Sequence, residues 1–190
     1  MQVSVRLEGL PMARARLDEI GKRVDPVMRG ALNTTATRSR RERYVKPMAR
    51  SIKSRRLNAA LKIKRANSRN MNARIIPSSS GILVLNYRTW GYDVLTPTRA
   101  RIWVLSPSGK KTAAGFVNPA SAQKLPWSTR SKKSTGKRDY VYHGWKTAMG
   151  PSAAYWFKQL TDSGTVRWVN TFLAQEFERR IRQEIMKATL

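Results

Sequence analysis

Residues 165–187 read TVRWVNTFLAQEFERRIRQEIMK, and this stretch decides the helical part of the fold. Apolar side chains recur in it every four residues, at Val169, Leu173, Phe177, Ile181 and Ile185, whereas the arginines fall largely elsewhere around the cylinder. An apolar stripe at this spacing predicts an amphipathic helix that packs one face on a core. We expect core packing for the stripe, with the docking of a partner helix as the alternative.

A second long helix is predicted near the other end of the chain, from Asp25-Pro26 to about Tyr44. Aspartate can cap a helix, and proline suits its first turn. The second half of this helix is strongly basic, and Pro47 should stop or kink it, because proline removes a backbone donor. Its predicted apolar side comprises Val27, Ala31, Leu32, Thr35 and Ala36.

Shorter elements complete the pattern. Helical segments are predicted for residues 12–22, for residues 54–61, and from Pro151 to about residue 160, with Gly164 separating the last two helices. Short β-branched or aromatic runs lie at residues 61–63, 74–76, 82–87, 101–105, 115–118 and 139–142, and residues 2–7 alternate with the period of a strand. Residues 106–114 predict a hairpin tip.

The fold class follows from these elements. We predict an α+β fold in which an antiparallel β-sheet or small sandwich is packed by long α-helices, as a single domain over residues 1–190. A basic helical or extended arm covers about residues 38–75. A long mobile loop is predicted at residues 127–138, because its Ser, Thr, Gly and Lys content is too polar to order itself.

Positive charge is the strongest functional signal. The chain carries 38 Lys and Arg against 11 Asp and Glu, a formal net charge of +27. Residues 26–75 hold 15 basic residues and one acid, which gives +14, and residues 111–147 hold 8 and one, which gives +7. A positive charge this large and this clustered attracts polyanions. The candidate partners are therefore a nucleic acid or an acidic protein surface.

The residues that we expect to contact such a partner are basic and fall in two groups. In the arm they are Arg38, Arg40, Arg41, Arg43, Arg50, Lys53, Arg55, Arg56, Lys62, Lys64, Arg65, Arg69 and Arg74. In the predicted mobile loop they are Arg130, Lys132, Lys133, Lys137 and Arg138. We expect protein contact for the helix around Arg38 to Arg43, because its apolar side suits subunit packing, and DNA contact for Lys62 to Arg74.

Several kinds of chemistry have little support. The chain has no Cys and one His, His143, so that a thiol nucleophile is excluded and a metal site is poorly supplied with ligands. His143 has no nucleophile elbow with it, and phosphate-loop and dinucleotide patterns are absent. No apolar run spans a membrane and no secretory leader is visible. We therefore expect a protein of a soluble compartment that is not an enzyme and uses no cofactor or metal.

The order of pieces resembles the minor tail protein Z family of long-tailed bacteriophages, also called tail-completion proteins. The matching segments are VMRGALNTTAT from Val27, SIKSRRLNAALKIKRA from Ser51, NARI from Asn72, GFV from Gly115 and AMGPS from Ala148. Chain length is also similar. Residues 86–145 depart most from the family pattern.

The resemblance implies a structural virion protein that completes the head-proximal end of a tail and supports head–tail joining. It implies six copies in a ring, contacts with tail-tube, terminator and neck proteins, and location in the virion tail after assembly in the host cytoplasm. The basic residues fit that setting, because a tail lumen is commonly acidic and the genome end is a polyanion. The alternative is a nonspecific nucleic-acid-binding protein.

Overall fold

A computed structural model describes residues 24–106, 109–128 and 146–188. Helix makes up about 48% and strand about 32% of it, with antiparallel sheets, which confirms the predicted α+β class. The predicted strand at 2–7, helix at 12–22, strand at 139–142 and the loop residues 129–138 lie outside the described residues. No helix in the described ranges is both long and apolar enough to cross a membrane.

The α-helices are α1 (Val24–Ser39), α2 (Lys46–Ala49), α3 (Ser54–Ala60), α4 (Ala153–Leu160) and α5 (Ser163–Ala188), with a π-helical segment at Arg40–Val45 and a 3-10 turn at Val84–Asn86. The strands are β1 (Leu61–Lys64), β2 (Arg74–Pro77), β3 (Gly81–Leu83), β4 (Trp90–Thr96), β5 (Arg99–Ser106), β6 (Gly109–Val117), β7 (Trp127–Ser128), β8 (Lys146–Thr147) and β9 (Met149–Ser152).

The described residues form two compact units. We call residues 24–46, 60–78 and 157–188 the helical unit, and residues 47–59, 79–106, 109–128 and 146–156 the sheet unit. The single domain expected over residues 1–190 stays a prediction.

The core of the helical unit lies between α1 and α5. Its cluster of buried side chains consists of Val24, Val27, Ala31, Leu173 and Phe177, with Met28, Leu32 and Ile181 packed against it. Core packing of the α5 stripe is thus confirmed at its centre, while Ile185 is exposed. The apolar side of α1, which we expected to suit subunit packing, is covered by α5 within the same unit.

Polar contacts add to the same helix pair. The Glu176 carboxylate, 8% exposed, accepts hydrogen bonds from Arg179 at 2.7 Å and from Arg180 at 2.8 Å. Arg180 also donates to the Thr34 hydroxyl of α1 at 2.9 Å. The arginine bonds hold the pKa of Glu176 below its ordinary value of 4.5. Gly30 leaves room for the Arg180 side chain, because a Cβ on residue 30 would lie only 2.5 Å from Arg180 Nη1.

The basic end of the first long helix departs from its predicted form. Helical structure continues as the π-helical segment and then as α2, so it extends past Tyr44 and past Pro47 to Ala49. Pro47 is the second residue of α2 and does not end the helical run, although it has no backbone N–H to donate.

The helical unit also contains a two-stranded antiparallel hairpin. β1 pairs with β2 so that Leu61 faces Pro77, Lys62 faces Ile76, Ile63 faces Ile75 and Lys64 faces Arg74. Leu61 is buried and Lys62 and Lys64 are exposed, as the two-residue period of a strand requires.

The sheet unit is a seven-stranded antiparallel sheet. Its main path is β3-β9-β6-β5-β4, and β7 pairs with β6 and with β8. The buried Tyr87 hydroxyl donates to the Pro151 carbonyl oxygen at 2.7 Å and accepts from Trp156 Nε1 at 3.0 Å. Burial raises the pKa of Tyr87 to about 12. This bonded pair is a polar contact within the buried core of the sheet unit.

Four predictions within the sheet unit are wrong in their details. β6 begins at Gly109, so the predicted hairpin tip at 106–114 is mostly strand, paired along β5. β4 was not predicted at all, and Val84–Asn86 is a 3-10 turn rather than strand. Pro151 lies in β9, and the helix begins two residues later. Trp127 and Ser128, expected in the mobile loop, form β7, because Trp127 pairs with Phe116 and Thr147.

Replacing Glu176 by Gln should lower the free energy of unfolding by about 1–2 kcal/mol at neutral pH, since it removes a charge held by two arginines. Because the pKa of Glu176 is depressed in the fold, its stabilisation is present above the ordinary value of 4.5 and is lost as the pH falls through the folded-state pKa. Urea unfolding from neutral to acidic pH should therefore show a shallower acid loss for Glu176→Gln. Glu178→Gln, in an exposed ion pair with Arg182, is the control, and an equal effect of both changes would contradict the assignment.

Replacing Tyr87 by Phe should destabilise the sheet unit by about 1–3 kcal/mol, because the buried Trp156 Nε1 would lose its acceptor. Thermal unfolding followed by Trp fluorescence measures the effect. Tyr155→Phe, at a half-buried ring, is the matched control and should change stability by less than about 0.5 kcal/mol. Wild-type stability of Tyr87→Phe would show that the bonded pair contributes nothing.

Candidate polyanion-binding face

The arginines at the end of the first helix separate into two groups by direction. Arg38 and Arg41 are exposed, and the Arg41 side chain is 70% accessible. Arg40 instead donates from Nε to the Leu61 carbonyl oxygen at 2.6 Å, and Arg43 donates to the Thr165 hydroxyl at 3.1 Å. The two members of each group are three residues apart in sequence and so are close neighbours along the helical surface. Arg40 and Arg43 thus tie the helical unit together, although the sequence suggested partner contact for both.

Arg43 lies beside the first residues of α5 and contacts two of them, Thr165 and Trp168. Its guanidinium is 5.7 Å from the centre of the Trp168 ring. The Asp162 carboxylate accepts the Thr165 backbone N–H at 2.6 Å and caps the helix, and this bond lowers the pKa of Asp162. Helix α5 therefore begins after Asp162, and Gly164 is its second residue rather than a separator.

A polar latch fixes the chain after β1 on the side of α1. The Asn33 side-chain amide donates to the Ala66 carbonyl oxygen at 3.1 Å, and its oxygen accepts the Ala66 N–H at 2.8 Å. Ala66 is buried, and the next turn is closed by the Asn67 side chain, which accepts the N–H groups of Arg69 and Asn70. The latch therefore places Arg65, which directly precedes Ala66, beside the exposed arginines of α1.

These residues enclose a hollow of about 210 Å³, which we call the arginine hollow. It is lined by Asn33, Thr34, Thr37, Arg38, Arg41 and Arg65. No carboxylate lines it, and Glu42, the acid nearest in sequence, accepts from Lys46 and lies 3.2 Å from Arg41 Nε. The Lys46 bond lowers the pKa of Glu42. Three guanidinium groups with adjacent hydroxyl and amide groups form a surface suited to an oxyanion.

The sequence indicated the three arginines of the hollow but not its neutral residues. A helical projection could have found Asn33, Thr34 and Thr37, because they lie on the same side of α1 as Arg38 and Arg41. The pairing of Asn33 with Ala66 had no sequence signal, since it joins residues 33 positions apart.

The β1–β2 hairpin carries further cations. Lys62, Lys64 and Arg69 are exposed, and Arg74 is half-buried. Lys64 and Arg74 face one another across the two strands. Like charges in directly opposed positions destabilise a strand pair, and a bound anion would relieve that repulsion.

The remaining predicted contact residues of the arm belong to the sheet unit. Arg50, Lys53, Arg55 and Arg56 are all exposed. Lys53 donates from Nζ to the Leu85 carbonyl oxygen at 3.1 Å. The loop cations Arg130, Lys132, Lys133, Lys137 and Arg138, and also His143, lie outside the described residues. In the part of the chain that the structure describes, His, Asp and Glu form no group of three that could hold a metal ion.

No protein-family model, curated protein or solved structure matches this chain.

Removing the latch should free the loop that carries Arg65. Asn33→Ala should raise the hydrogen-exchange rate of the Ala66 amide by roughly an order of magnitude or more, because that N–H loses its side-chain acceptor. Exchange measured by NMR or mass spectrometry tests this, with Asn170→Ala on the exposed side of α5 as the control. An unchanged Ala66 exchange rate in a folded Asn33→Ala protein would rule out the latch.

Proposed function

We propose that this protein is a structural subunit of a long-tailed bacteriophage that completes the head-proximal end of the tail and supports head–tail joining. In this proposal it acts by assembly rather than by catalysis, as a ring of six copies that contacts tail and neck proteins in the virion. The order of sequence segments similar to minor tail protein Z supports it.

The observation that carries the proposal is the organisation of the basic segment. Within the helical unit most of its cations lie on helices and strands, where exposed members such as Arg38 and Arg41 stand beside inward members that are bonded within the unit. A rigid basic face of this kind suits docking against a fixed anionic partner, because little side-chain and loop freedom is lost on binding.

A nonspecific nucleic-acid-binding protein is the second candidate. The observation that favours it is the opposed pair Lys64 and Arg74, which belongs to the same unit as the arginine hollow. Such residues supply phosphate contacts without reading bases, so binding would be independent of sequence and strongly dependent on salt.

Head–tail joining in vitro separates the two candidates. Tails assembled without this chain should fail to join filled heads, and addition of the purified protein should restore joining and leave the protein in the particle. Joining is scored by infectivity and incorporation by gel analysis of purified particles. A protein that binds DNA yet never enters tails, and whose omission leaves joining intact, would contradict the structural role.

A further inference from the structure

We infer that the arginine hollow is a phosphate-binding site that takes a backbone phosphate of a nucleic acid. The inference deepens the proposed function, since it names the partner of the basic face and rests on that face having an anionic partner. Its test uses the isolated protein, so that its failure and a failure of head–tail joining are separate results.

The donors of the hollow match a phosphate in number and kind. Arginine presents paired N–H groups that fit two phosphate oxygens at once, and three arginines line the site. The Thr34 hydroxyl accepts from Arg180, which leaves its own hydrogen to be donated. Asn33 donates one amide hydrogen to Ala66 and has a second one. Every residue that lines the hollow therefore carries hydrogen-bond donors, and the net charge of the lining is positive.

The arginines are partly positioned before any ligand arrives. The Arg38 guanidinium lies 5.6 Å from the centre of the Phe172 ring. Arg41 is held from Nε by Glu42 at 3.2 Å, which leaves its two terminal nitrogens for a ligand. Arg65 is positioned by its neighbour Ala66, whose backbone is hydrogen-bonded to Asn33. Positioning of this kind reduces the ordering cost of binding and distinguishes a site from a charged surface.

A nucleic-acid strand accounts for the surroundings of the hollow better than a single small anion does. Further exposed cations of the same unit lie at Lys62, Lys64 and Arg69, in the β1–β2 hairpin and the connection between its strands, and a ligand with several phosphates offers each of them a partner. The hollow is also smaller than the roughly 300–1,000 Å³ of a pocket for a drug-sized ligand. A single phosphate group of a longer chain fits these dimensions.

A protein partner fits this face less well. Stable protein interfaces have an apolar centre with a polar rim. The apolar side of α1 is covered by α5, and the side with the hollow presents asparagine, threonine and arginine. We therefore infer nucleic-acid contact for Arg38 and Arg41, where the sequence led us to expect protein contact.

The first test preserves charge and removes the arginine geometry. Arg38→Lys, Arg41→Lys and Arg65→Lys are combined, and the control combines Arg99→Lys, Arg101→Lys and Arg167→Lys at three exposed positions outside the hollow. Binding to a short mixed-sequence DNA duplex is measured by fluorescence anisotropy. We expect the hollow variant to lose about tenfold in affinity, because charged hydrogen bonds are lost at constant charge. The control should bind like the wild type.

The second test uses the salt dependence of the same binding reaction. Gln replacements at Arg38, Arg41 and Arg65 should make the slope of log affinity against log salt less steep by about 0.9, the contribution of one phosphate. Gln replacements at Arg99, Arg101 and Arg167 remove the same charge and should leave the slope nearly unchanged. Circular dichroism and thermal unfolding confirm that all variants fold.

Two results would overturn the inference. Equal losses in the hollow variants and their controls would mean that only overall charge matters. Equally tight binding of polyglutamate, with the same loss in the hollow variants, would mean that the hollow recognises carboxylates of a protein. Wild-type binding that is insensitive to the duplex sequence, with losses confined to the hollow variants, supports it.

Discussion

The burial of one side of α1 against α5 is the constraint on which the helical unit depends. Val27, Ala31, Leu173 and Phe177 meet in that interface, and it fixes the rotation of α1 about its own axis. Beyond that contact, each arginine takes its direction from its own partners. Arg38 and Arg41 are exposed, with Arg38 beside the Phe172 ring, whereas Arg40 and Arg43 donate to Leu61 and Thr165. The apolar contact thus supports the helix that carries the basic face.

A chain with a net charge of +27 must find acceptors for many of its cations within the fold, besides presenting others to solvent. With few acids available, several cations are bonded to neutral acceptors within their own unit, such as the carbonyl oxygens of Leu61, Ala49 and Leu85. Other cations are paired with carboxylates, and the buried Glu176 serves two arginines at once. The remaining cations repel one another, as Lys64 and Arg74 do across the strand pair, and an anionic partner would reduce this repulsion. Stability and binding are thus linked through the same charges.

Much of the fold could be predicted because its periodic elements agree with their tertiary contacts. The α5 stripe and the apolar side of α1 are long and regular, so their burial followed from spacing alone. The arginine positions were equally visible, but their roles were not. Whether an arginine is a contact residue or a structural one depends on which carbonyl or hydroxyl lies opposite, and Leu61 and Thr165 are 21 and 122 residues away from their partners.

The errors in the sheet unit have the same origin. Gly109 to Thr112 are too polar to indicate a strand, and they are extended because β5 supplies partners. Trp127 and Ser128 pair with segments distant in sequence. Residue 115 must be a glycine for a reason that the adjacent sequence does not reveal. Its φ is +115°, and a side chain there would overlap the Trp127 carbonyl oxygen. Short strands selected by pairing carry little local signal.

Side-chain NMR of the arginines during titration with a short DNA duplex tests the central claim most directly. The fold sorts the arginines into outward and inward groups, so the guanidinium N–H signals of Arg38, Arg41 and Arg65 should shift together at the lowest DNA concentrations. The Nε–H signals of Arg40 and Arg43 should stay unchanged, because Arg40 Nε donates to the Leu61 carbonyl oxygen and Arg43 Nε is buried. Shifts of Arg40 and Arg43 in parallel with the others, or no shift at Arg38, Arg41 and Arg65, would contradict the account.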